Sequence, residues 1–71
     1  MKAKINFGRV SLDVEIRSVS TKMIAFYLPT ENDTPEMWAL LTGMRANINM
    51  ISGKPFVNLP IKEDVVIEYH K

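Results

Sequence analysis

Side chains able to carry acid–base, nucleophilic or metal chemistry are few in this chain and far apart. It has no cysteine, which removes a thiolate nucleophile, a Cys-type zinc site and any disulfide. Its one histidine, His70, reads as a solvent-facing residue close to the end of the sequence, with no nucleophile or ligand partner near it. Of the eight carboxylates, Asp13 and Glu15 alternate along an apolar segment, where lysines on a neighbouring strand would answer them. Glu31, Asp33 and Glu36 surround a helix start, and Glu63-Asp64 lies in a polar turn. None has the spacing of a calcium loop. Ser18, Ser20 and Thr21 cluster without a base, as turn residues do. Gly53-Lys54 resembles the end of a phosphate-binding loop, but position 48 is isoleucine where that loop needs glycine. The expectation is a non-enzymatic protein with no cofactor and no metal.

Binding is the remaining class. Lys plus Arg total 9 against 8 for Asp plus Glu, a net charge of +1, so no field draws the whole molecule to a polyanion. A nucleic-acid surface would have to be local. The residues for it are Tyr27 as a stacking platform with Arg17 and Lys22 as phosphate contacts. Lys2 and Lys4 interleave with Asp13 and Glu15 on the adjoining face, which neutralises it.

The positions of these residues depend on the elements that carry them. Ala3, Ile5 and Phe7 alternate with Lys2, Lys4 and Asn6; after Gly8-Arg9 the apolar positions switch to Val10, Leu12, Val14 and Ile16. A two-residue type II′ turn, with Gly8 at positive φ, accounts for that switch. It predicts the pairs Phe7–Val10, Ile5–Leu12 and Ala3–Val14 on one face, with Lys4–Asp13, Lys2–Glu15 and Asn6–Ser11 on the other. A third strand is expected over 22–28, with Ile24, Phe26 and Leu28 inward. Its back, Met23, Ala25 and Tyr27, is apolar enough to suggest a central place in the sheet.

Thr34-Pro35-Glu36 is a helix start: a capping hydroxyl, a proline at the first helical position, and an acid at the positive end of the helix dipole. Met37, Leu40, Leu41, Met44, Ile48 and Ile51 recur at helical spacing, and Gly53 and Pro55 supply a stop. The preferred reading is one helix from Pro35 to about Ser52. The competing reading ends it near Met44 and makes 47–51 a strand. Phe56–Leu59 and Val65–Tyr69 complete the pattern as strands, with Val65, Ile67 and Tyr69 inward. The expected architecture is α+β: a single domain over 1–71 in the order βββαββ, a mainly antiparallel sheet with one helix across one face. Ile5, Phe7, Leu12, Val14, Phe26, Leu40, Leu41, Met44 and Ile48 are its expected core.

The long helix would align Ala39, Gly43, Ala46 and Met50 on the side away from the core, with Trp38 on the flank. Glycine costs about 1 kcal/mol in mid-helix relative to alanine, so a close partner would give Gly43 a reason. Trp38, Ala39, Gly43, Ala46 and Met50 are therefore the candidate interface. Domains this small also gain stability by associating. The longest apolar run, Met23 to Leu28, is six residues, far short of the ~20 that cross a bilayer, and no signal peptide is seen. The expectation is a cytoplasmic, homodimeric interaction module: a small accessory, adaptor or inhibitor protein of the phage or mobile-element kind, with an unidentified protein partner and no membrane. The alternative is a small nucleic-acid-binding or regulatory protein.

Overall fold

The structure, a computed structural model, describes residues 1–70. The first hairpin has the expected register. Strand β1 (Lys2–Phe7) pairs with β2 (Val10–Val19) through Phe7–Val10, Ile5–Leu12, Ala3–Val14, Lys4–Asp13 and Lys2–Glu15. Gly8 has φ +61°, and Arg9 is not in the left-handed region, as a II′ turn requires. Ser20 closes the next turn: its N–H donates to the Met23 carbonyl at 2.8 Å, and its Oγ accepts from the Met23 N–H at 3.1 Å. Strand β3 (Met23–Tyr27) then pairs with β2. A bulge at Arg17 shifts the register from Ile16–Phe26 to Ser18–Ala25. Ile24, Phe26 and Leu28 are buried, as their alternation predicts.

The helix α1 spans Pro35–Gly43 only. Its start is as expected, with the Thr34 hydroxyl accepting from the Met37 N–H at 3.1 Å. Its end corrects the long-helix reading. Arg45 takes φ +66°; the Ala46 N–H reaches back to the Leu41 carbonyl and the Arg45 N–H to the Thr42 carbonyl, both at 3.0 Å. This is a Schellman termination with arginine in the position glycine usually holds. Asn47–Ile51 is strand β4, paired with β5 (Lys54–Pro60) across a Ser52-Gly53 turn in which both residues have positive φ, +52° and +77°. Gly53 thus serves a type I′ hairpin and not a helix cap. The competing reading of 47–51 holds, because Asn47 and Asn49 are poor helix formers and β5 offers Ile48 a partner in Val57.

With β4 in place the order is βββαβββ, one strand more than expected, and the fold remains α+β with one helix. Strand β6 (Val65–Tyr69) returns to pair with β1. The sheet order is β4-β5-β3-β2-β1-β6, antiparallel throughout, so β3 is interior, as its apolar back suggests.

The link between β5 and β6 shows that the sheet is strongly coiled. Pro60 sits beside Met23, and Val65 beside Phe7 at the opposite end of the strands. Five Cα steps reach at most about 18 Å. Four interstrand spacings in a flat sheet already amount to about 19 Å, before the offset along the strands is added. The two corners meet only because twist and coil fold the sheet towards itself. The overall extents, 26 × 23 × 20 Å, are accordingly close to equal.

The concave face holds the core: Ile5, Phe7, Leu12, Val14, Ile16, Ile24, Phe26, Leu28, Val57, Leu59 and Val65, with Leu41 as the one fully buried helical side chain. Leu40 was expected there but is 37% exposed, while Met44 and Ile48 are half-buried at the margin. The short helix directs one ridge inward and leaves its neighbour to solvent. Tyr69, also expected inward, is 51% exposed at the end of β6, and Ile67 is half-buried. Among the described residues no polar side chain is buried, and no helix is long and apolar enough to cross a membrane.

Candidate functional site

The early end of α1 dissolves the small-residue stripe. Ala39 and Gly43 stay on the helix, Ala46 follows its cap and packs against the core, and Met50 lies in β4, 58% exposed. They do not form one face. Gly43 is the last helical residue, and a Cβ added there would meet nothing within 4 Å, so no contact within the chain requires glycine. Trp38 is half-buried against the core, and its indole N–H donates to Asp33 Oδ1.

The nucleic-acid candidates are only partly brought together. Lys22 lies at the β2–β3 turn, while Tyr27 is at the other end of β3; Arg17, at the bulge between the Ile16–Phe26 and Ser18–Ala25 pairs, is two residues from Glu15, which opposes Tyr27. Four strand residues, about 13 Å, separate Tyr27 from Met23 beside that turn. Tyr27 does gain an aromatic neighbour that sequence reasoning missed: Phe56, opposite it on β5, packs edge-on with ring centroids 5.1 Å apart. The signal for Phe56 was absent locally, because only the β3–β5 pairing brings the two rings together. Glu15 faces Tyr27 from β2, and Asp13, Glu15 and Asp33 outnumber Lys54 along the adjoining 400 Å³ cleft, an unfavourable setting for phosphate.

The convex face near β1 gathers a further group of titratable side chains. Lys4 and Lys2 oppose Asp13 and Glu15 in register, yet neither pair closes to ion-pair distance among the described residues. Glu15 instead meets the Met1 amino group at 3.2 Å, and Asp13 meets His70 Nε2 at 3.5 Å. His70 is held by its main chain, its N–H donating to the Lys2 carbonyl at 3.0 Å. These residues border a shallow 380 Å³ hollow with Lys2, Ala3 and Val14. Every partner there is well exposed to water, which weakens each pair and offers no desolvated base or nucleophile. Among the described residues, no group of three or more His, Asp or Glu side chains is placed to hold a metal ion.

The most distinctive surface is the free edge of β6. In a strand, the N–H and C=O of one residue point to the same side, and the side alternates along the chain. The His70 N–H bonds to Lys2, so Val66, Glu68 and His70 direct their main-chain groups towards β1, opposite Asn6, Lys4 and Lys2. Val65, Ile67 and Tyr69 therefore direct theirs outward. The Val65 N–H is used in the preceding turn, on the Lys62 carbonyl at 3.0 Å. Among the described residues, the N–H and C=O of Ile67 and Tyr69 and the C=O of Val65 have no partner in the sheet. The side chains along this edge are apolar and exposed, Val66 at 55% and Tyr69 at 51%. The other edge, β4, differs: α1 lies nearest to it, and Asn47 and Asn49 interrupt its apolar residues.

No protein-family model matches this chain, and no curated protein or solved structure is significantly similar to it.

Proposed function

We propose that this chain is a non-enzymatic, cytoplasmic protein-interaction module, an accessory, adaptor or inhibitor protein that acts by strand addition at β6. The observation that supports this is the outward row of main-chain groups, the C=O of Val65 and the N–H and C=O of Ile67 and Tyr69, flanked by exposed Val66. An open edge supplies main-chain hydrogen bonds to an incoming strand, and the alternating side chains supply selectivity. Natural sheets usually blunt such edges with lysine, proline or a covering element. Here Glu68 is the one charged residue in the strand, and its carboxylate already accepts a 2.6 Å hydrogen bond from Asn6 Nδ2.

Nucleic-acid binding is the second reading, favoured by the Tyr27–Phe56 pair and opposed by the acids beside it. A photoreactive residue at position 66, with a control at Arg9 on the β1–β2 turn, separates the two in extract from the source cells. Protein adducts at 66 and none at 9 are expected. Nucleic-acid adducts, or micromolar binding of generic DNA or RNA with a steep salt dependence, would overturn the proposal in favour of the second reading.

A further inference from the structure

We infer that the strand received by β6 is β6 of a second copy, giving a symmetric antiparallel dimer centred on Ile67. This rests on the reading of β6 as an interaction edge and names its occupant.

Three constraints select that register. Directly opposed residues of an antiparallel pair share a face, and a two-fold axis perpendicular to the sheet preserves faces, so opposed residue numbers must sum to an even value. Hydrogen bonding adds that the residues exchanging main-chain bonds are the odd-numbered ones, Val65, Ile67 and Tyr69, because the even ones bond to β1. Centres at Val65 or Tyr69 would pair a single residue of the strand with itself, so charge chooses among the centres that pair three residues or more. An axis at Val66 sets Asp64 against Glu68 twice, and an axis at Glu68 sets that residue against its own copy. An axis at Ile67 opposes no like charges: Val66 faces Glu68, and Asp64 faces His70. The same axis makes Ile67 a hydrogen-bonded pair with its own copy and sets Val65 against Tyr69, a β-branched and aromatic pairing on the core side of the sheet.

Self-complementarity argues for a second copy over a foreign strand. A single register satisfies the free donors, the apolar side chains and the charges together; the other edge strand, β4, also exposes apolar residues, Met50 and Ile51, but has α1 nearest to it. The interface is one short strand, well below the ~1,200–2,000 Å² of stable complexes, so the dimer is a weak one in the micromolar range or above.

The test reads mass by light scattering from micromolar to millimolar concentration, with amide exchange alongside. The wild type is expected to pass from monomer to dimer, with exchange at Ile67 and Tyr69 slowing as concentration rises. Val66 and Glu68, whose amides already bond to β1, should show no such dependence. Val66→Glu places a like charge opposite Glu68 at two symmetric places and is expected to weaken the dimer roughly two- to thirty-fold. Val66→Lys places an opposite charge there and should tighten it. Position 66 is exposed, so both variants keep the fold. A wild type that stays monomeric at millimolar concentration, or a dimer indifferent to the sign of charge at 66, overturns self-pairing. If the wild type is monomeric while position 66 still forms adducts with a different protein, self-pairing alone falls and the strand-addition reading stands; if position 66 forms no protein adducts, both fall.

Discussion

Leu41 and Leu40 are adjacent leucines on one helix, and the structure assigns them opposite fates. Leu41 is 0% exposed and is the one helical side chain wholly inside the core; Leu40 is 37% exposed. Leu41→Ala removes three buried carbons, a transfer loss of roughly 2.4 kcal/mol at ~0.8 kcal/mol each. The cavity left under a coiled sheet adds to this, taking the total towards ~3–5 kcal/mol. A chain of this length has a total stability of about 4–11 kcal/mol, so the variant loses a large share of it. Leu40→Ala opens no enclosed cavity and places the best helix former on a half-wet face, so its cost should be roughly 1 kcal/mol. Urea unfolding followed by circular dichroism measures both. A melting scan should show Leu41→Ala lower by at least ~10 °C. Equal costs, or a larger cost for Leu40→Ala, would refute the placement of the helix. They would point instead to the continuous helix over 35–52, in which both leucines belong to the core stripe.

Two further predictions test the turns that decide the fold. Arg45 holds φ +66° at the end of α1, so Arg45→Gly relieves left-handed strain and should raise the unfolding free energy, read as a higher urea midpoint, by about 0.5–1 kcal/mol after the entropy of an added glycine is allowed for. At Gly53, φ +77°, an added Cβ meets nothing within 4 Å, so the cost of substitution is torsional. Gly53→Ala should therefore cost about 1 kcal/mol and Gly53→Asn less, although asparagine is larger, because asparagine tolerates the left-handed region; the reverse order in thermal unfolding would rule out the I′ turn.

The first hairpin and the start of the helix were legible in the sequence because their signals are local. The parity switch across Gly8-Arg9 leaves one register in which apolar residues share a face and Lys2 and Lys4 oppose Glu15 and Asp13. Thr34, Pro35 and Glu36 each favour a helix start through a contact within one turn of chain. The end of the helix was not legible in this way. Residues 47–51 fit both a helical stripe and a strand, and Ser52-Gly53 fits both a helix stop and a hairpin turn. What decided it was β5, whose Val57 and Phe56 oppose Ile48 and Asn49 and supply a ladder that no local preference encodes. The small-residue stripe depended on that helix and ended with it.

The same distinction applies to β6. Val65–Tyr69 reads as a strand from its β-branched and aromatic residues alone, but composition does not say whether a strand is central or at an edge. Its place beside β1, with one side open, follows from the coil of the sheet, which brings the end of β5 within a four-residue link of Phe7. Side-chain pattern within a segment sets which face is buried, whereas the neighbours of a strand are set by chain closure across the whole domain. For that reason the sequence by itself determined the first hairpin, the alternation of β3 and the start of the helix, and only the tertiary structure determined where the helix ends, which of Leu40 and Leu41 is buried and which main-chain groups remain free to bind.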